Sequence, residues 1–149
     1  MSSIDDPPDS PDPASSAVRT IFRWLLAAAL IYAGTSHLAW ARADFEAQVP
    51  GWVPLDAELV VILSGIVEIA LGASLLLLRR HRVLVGWVVA AFFVAIFPGN
   101  ISQFVDGDAA FGLDSDFARG VRLLFQPLLV VWALWCTAAW AAWRASRQG

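Results

Sequence analysis

The sequence predicts an all-α protein, an integral membrane four-helix bundle with both termini in the cytoplasm. Three observations lead there. Residues 59–78, LVVILSGIVEIALGASLLLL, contain Glu68 as their only ionisable group. At about 1.5 Å per residue the run is long enough to cross roughly 30 Å of hydrocarbon. A mean hydropathy of +0.64, with 58% hydrophobic residues in a chain of 149, is too apolar for a soluble domain. Finally, the basic residues are all arginine and alternate in density from one connector to the next.

Composition also excludes function classes. A net charge of −3 supplies no electrostatic footprint for nucleic acid. The single cysteine, Cys136, forms no intramolecular disulfide, and without a CxxC pair the chain alone performs no dithiol exchange.

In chain order, residues 1–17, MSSIDDPPDSPDPASSA, read as a disordered acidic tail. Pro, Ser and Asp leave too little apolar surface to offset the entropy of ordering. Residues 18–145 read as the membrane domain. Its first span, about residues 20–41, has a tryptophan near each end, which suits a permanent helix better than a cleaved signal. Ala27, Gly34, His37 and Ala41 share one of its faces. The connector turns at Pro50-Gly51 and Val53-Pro54 around Trp52. Asp56 is then a natural N-cap for the second span, 57–78.

Within that second span Ser64, Gly65, Glu68 and Gly72 fall on one face. A carboxyl at mid-membrane costs about 2.5–3.5 kcal/mol on insertion scales, so this face belongs in the bundle interior. Residues 79–82, RRHR, form a basic hairpin before the third span, 83–101, which Pro98 and Gly99 are expected to end or kink at Asn100. The following connector carries Asp106, Asp108, Asp114 and Asp116 but lacks the spacing of a calcium loop, and reads as solvated. The fourth span, 120–143, carries Arg122 and Gln126 on one face, with Pro127 in its early turns.

Seven arginines (19, 23, 79, 80, 82, 144 and 147) lie on one side of these spans and three (42, 119 and 122) on the other. The positive-inside rule puts the first group, and both termini, in the cytoplasm. His37, Ser64, Glu68, Asn100, Arg122 and Gln126 then occupy the outer half, where inward-turned faces gather them into one polar pocket, with Ser64 bridging outward from Glu68.

Tyr32-Ala33-Gly34 followed by His37, the string from Val49 to Pro54, Ser64-Gly65 with Glu68 and Gly72, the arginine-rich turn, the string from Phe97 to Ile101, and Arg122 with Gln126 together resemble the DoxX family of small bacterial membrane proteins. The resemblance covers about residues 20–143. It implies a four-helix bundle in the bacterial cell membrane and a link to membrane redox systems. Two functions follow. The first is a non-catalytic or quinone-contacting accessory subunit, whose pocket receives a quinone head group or a helix of a partner. That partner is a membrane oxidoreductase or a second copy of the chain. The alternative is a small proton-coupled transporter with Glu68 as the titrating carboxyl, although the chain lacks the internal repeat many carriers show. Haem ligation by two histidines has only His37 within a span, and zinc lacks a ligand set.

Overall fold

The computed structural model describes residues 13–106 and 116–148, and every regular element among them is helical. Six α-helices follow in order: α1 (Pro13–Ala39), α2 (Arg42–Glu46), α3 (Ala57–Leu77), α4 (Arg82–Asp106), α5 (Asp116–Cys136) and α6 (Ala139–Ser146). A 3-10 turn, Arg79–His81, joins α3 to α4. Residues 1–12 of the acidic tail and 107–115 of the aspartate-rich connector lie outside the described residues.

Three helix boundaries differ from the sequence expectation, each for a physical reason. Helix α1 begins at Pro13, so residues 13–17 are helical rather than part of a disordered tail. Proline suits the first helical turn, where its missing N–H costs nothing, and Ala14, Ser15, Ser16 and Ala17 do not oppose a helix. Helix α4 does not end at Pro98 but continues to Asp106. The polar side chain of Gln126, from α5, bonds the α4 backbone at Phe93, near the interruption. Contacts of this kind let a membrane helix tolerate a proline.

The third difference concerns the fourth expected span. It is not one helix over 120–143 but α5 and α6, bent by 69° at a short break. Ala138 takes a left-handed conformation, φ 61°. Thr137 is fully buried, donates its Oγ1 to the Ala133 carbonyl at 2.7 Å, and packs on Gly86, where any added Cβ would collide with it. Packing imposes this break.

The expected cap of α3 is present. The Asp56 carboxylate accepts from the N–H groups of Glu58 and Leu59 at 3.0 and 3.4 Å, satisfying two of the helix's free donors.

Helices α1 and α3 form one closely packed pair, and α4 and α5 form a second. A solid core of Leu26, Leu30, Leu71, Leu75, Val89, Phe93 and Ala133 joins the pairs over one half of the bundle. The other half, beneath the connector that carries α2, is open inside. Outward, the long helices present large apolar side chains such as Trp24, Leu63, Val94 and Leu128. Three helices are long and apolar enough to cross a membrane, and the bent α5–α6 pair makes a fourth candidate.

Candidate functional site

The site begins with two glycines. A Cβ on Gly34 would stand 2.5 Å from the carbonyl oxygen of Gly65, and one on Gly65 would stand 2.9 Å from that of Gly34. Helices α1 and α3 therefore touch backbone to backbone, the close approach that small residues permit in membrane helices. His37 lies three residues beyond Gly34, and Glu68 three beyond Gly65. Both follow the seam.

The two sit at different heights along the α1–α3 seam. Helical side chains lean toward the N-terminus of their own helix, so in this antiparallel pair His37 and Glu68 lean toward each other. They meet, with His37 Nδ1 3.1 Å from Glu68 Oε2 and both side chains buried. The approach is not aligned as a hydrogen bond, so neither atom has a well-directed partner among the described residues. Phe45, from α2, packs edge-on against the His37 ring with centroids 3.5 Å apart.

The facing wall is built on α4 and α5. Gln126 is buried, and its Nε2 donates to the Phe93 carbonyl at 2.6 Å. That carbonyl only accepts, which turns the other end of the amide outward. Its Oε1 accepts from Asn100 Nδ2 at 2.8 Å. One turn earlier on α5, Arg122 donates to Gln48 Oε1, and Gln48 Nε2 donates to the Asp44 carbonyl at 3.0 Å. The connector is thereby tied to α5 across the open half of the bundle.

Between the two walls lies a cavity of about 600 Å³. His37, Ser64, Glu68, Asn100, Arg122 and Gln126 all line it. Most of the remaining lining is apolar, including Leu30, Val61, Phe93, Ile96, Phe125 and Leu129, with Trp52 at the connector. Ser64 makes no hydrogen bond to Glu68, so the bridge expected of it is absent. It is one helical turn from the carboxyl and lines the cavity separately. Sequence reasoning missed Phe45 and Gln48. A lone glutamine before a Pro-Gly turn carries no signal that separates it from a solvated loop residue.

Chemically the chamber is an apolar container with hydrogen-bonding groups on opposite walls. Its lining offers donors in Arg122, Asn100 and Ser64, and a carboxyl in Glu68. Among the described residues there is no group of three or more His, Cys, Asp or Glu placed to hold a metal ion.

Comparison with known proteins corrects the family. Residues 26–137 match the family described as a domain of unknown function, DUF8561, and no match to the DoxX family accompanies it. The strings that suggested DoxX are small residues for helix packing and Pro-Gly-Trp turns, devices open to any bundle of apolar helices. The redox link implied by that resemblance falls with it. No curated protein and no solved structure matches the chain. The match spans most of the sequence, and the chain belongs to the DUF8561 family.

Proposed function

We propose that this chain is a four-span membrane protein that binds an amphipathic small molecule without transforming it. The ligand has an apolar body and a head group that accepts hydrogen bonds, as a quinone ring does. The observation that supports this reading is the cavity of about 600 Å³, large enough for a cofactor-sized ligand. Its apolar walls suit a ring or chain, and Asn100, Arg122 and Ser64 suit carbonyl oxygens.

The membrane setting is supported by the apolar outer surface, which would be costly in water. In this reading the arginine-rich end is cytoplasmic and the cavity opens toward the outer face. The short helix α6 lies at the inner interface. Trp140 and Trp143 pack there with their rings tilted and centroids 5.5 Å apart, and the Arg147 guanidinium sits 4.3 Å over the Trp143 ring. Cysteine probes at Ala47 and Ser146 test the orientation. Outside labelling is expected at Ala47 alone, and labelling at Ser146 alone reverses the topology.

The binding test is mass spectrometry of the protein purified in mild detergent, followed by titration with a short-chain quinone. Retained quinone-class molecules or saturable binding, weakened in Asn100→Leu, is the expected result. No retained molecule and no saturable binding contradicts the proposal.

A second reading is favoured by one observation, the buried His37–Glu68 contact that lacks a directed hydrogen bond. In that reading the carboxyl exchanges a proton during transport of a cargo. Glu68→Gln would then abolish proton flux into liposomes while the protein stays folded. Ligand binding with no proton flux in the wild-type protein leaves only the binding role.

A further inference from the structure

The opposite end of the bundle holds a charged group with no counterpart. Arg23, on α1, is 3% exposed, and its Nε is sealed from solvent with no hydrogen-bond partner. No acidic side chain pairs with it among the described residues, whose ion pairs are His37–Glu68 and Arg42–Glu58. Like charge lies near it in Arg79 and Arg82, at the turn that starts α4, and in Arg19, which lines the same pocket. Burying a guanidinium whose Nε has no partner, with further cations nearby, is costly in a protein interior. An anion would offset that cost.

Space for one is present. A second, small cavity of about 50 Å³ is lined by Ser16, Arg19, Thr20, Arg23, Arg82 and Cys136. One water molecule needs only about 10–15 Å³ by such a measure, so the space exceeds a single water site. The Thr20 hydroxyl is already committed to the Ser16 carbonyl at 3.0 Å. The Cys136 thiol, likewise, faces the Ala133 carbonyl at 3.6 Å. The three guanidiniums are the free donors of this pocket.

We propose that this pocket is a phosphate-binding site, occupied by the phosphate group of a phospholipid or by free phosphate. Three arginines from two elements exceed what one carboxylate needs, since a single guanidinium fork already satisfies a carboxylate. A tetrahedral phosphate presents at least two further oxygens, and Arg19 and Arg82 line the same pocket as Arg23. Arg82 is the first residue of α4, so the positive end of that helix adds to the same field. In the membrane reading above, this end lies at the level of the cytoplasmic head groups, where juxtamembrane arginines meet anionic lipid. The site is separate from the large cavity and does not depend on its ligand.

The test uses the full chain in a detergent with an uncharged head group and follows its thermal unfolding. One arm compares phosphatidic acid with diacylglycerol, which differ only in the phosphate. The other compares sodium phosphate with sodium chloride at equal ionic strength. A saturable rise in Tm with phosphatidic acid alone identifies the lipid as the source, and a rise with sodium phosphate identifies the free ion. Either supports the site. Because Arg23→Gln threatens folding, the variants are Arg19→Gln and Arg82→Gln, each expected to weaken binding about tenfold as charge-assisted hydrogen bonds are lost. Arg80→Gln removes an exposed charge outside the pocket and is expected to leave binding unchanged. No saturable rise in either arm, the behaviour of a pocket that holds water only, overturns the proposal. So does an equal loss in Arg80→Gln, which would reduce the effect to general surface charge.

Discussion

The two helix pairs that enclose the large cavity are held together by opposite means. On the α1–α3 side the helices meet at glycines, with Gly34 and Gly65 leaving no room for a Cβ, and Gly72 closing on Ile31 and Ala27 further along. On the α4–α5 side the joining contacts include polar side chains, with Gln126 bonded to the Phe93 backbone and to Asn100. The glycine seam tolerates no insertion, yet it carries His37 and Glu68, whose facing atoms have no directed hydrogen bond among the described residues. The polar seam is satisfied. Tight backbone contact has fixed the places of His37 and Glu68, whose own bonding is incomplete, while on the facing wall the Asn100 amide has a second N–H beyond the one it gives to Gln126.

That contrast can be broken from either side. The largest effect is expected from Gly34→Leu, whose side chain has no space against Gly65, Ile69 and Glu68. It should cost about 3 kcal/mol or more of stability, at the upper end of overpacking penalties. Thermal unfolding in detergent measures it, and a loss as small as a surface substitution would mean that the seam is loose. Gln126→Leu should cost less, about 1 kcal/mol, since on the proposed membrane reading hydrogen bonds between helices are individually weak. A smaller term still is the Asn100–Gln126 coupling. A double-mutant cycle with Asn100→Leu should give roughly 0.6 kcal/mol, the average for such bonds in a membrane. Gly51→Ala is the control. Nothing lies within 4 Å of the Cβ it would add, and no change in Tm is expected from it.

Much of this arrangement was legible in the sequence. Periodicity alone put Gly34 with His37, and Gly65 with Glu68, on single faces, and those faces meet in the α1–α3 seam. Asp56 announced the start of α3 through its capping chemistry. What was hidden depends on contacts between distant segments. The break after Cys136 has neither glycine nor proline to mark it, because Ala138 is driven to positive φ by the packing of Thr137 on Gly86. The passage of α4 through Pro98 goes with a donor from α5 at the Phe93 carbonyl, which no local pattern reveals. Gln48 joins the cavity only because the connector folds back to Arg122. The unpaired state of Arg23 was equally invisible, since an arginine ahead of an apolar run reads as an ordinary cytoplasmic anchor.

The chamber between the two seams is the proposed ligand site. Trp52 lines it and reports on occupancy. The most direct measurement is therefore quenching of tryptophan fluorescence by a short-chain quinone in the wild-type protein and in Ala33→Phe, which fills part of the cavity from α1. Saturable quenching in the wild type, with affinity about tenfold weaker in an Ala33→Phe protein that is still folded, is the predicted result, in line with the cost of overpacking a filled space. Equal quenching in both proteins, or quenching that rises without saturation as the quinone partitions into detergent, would contradict it.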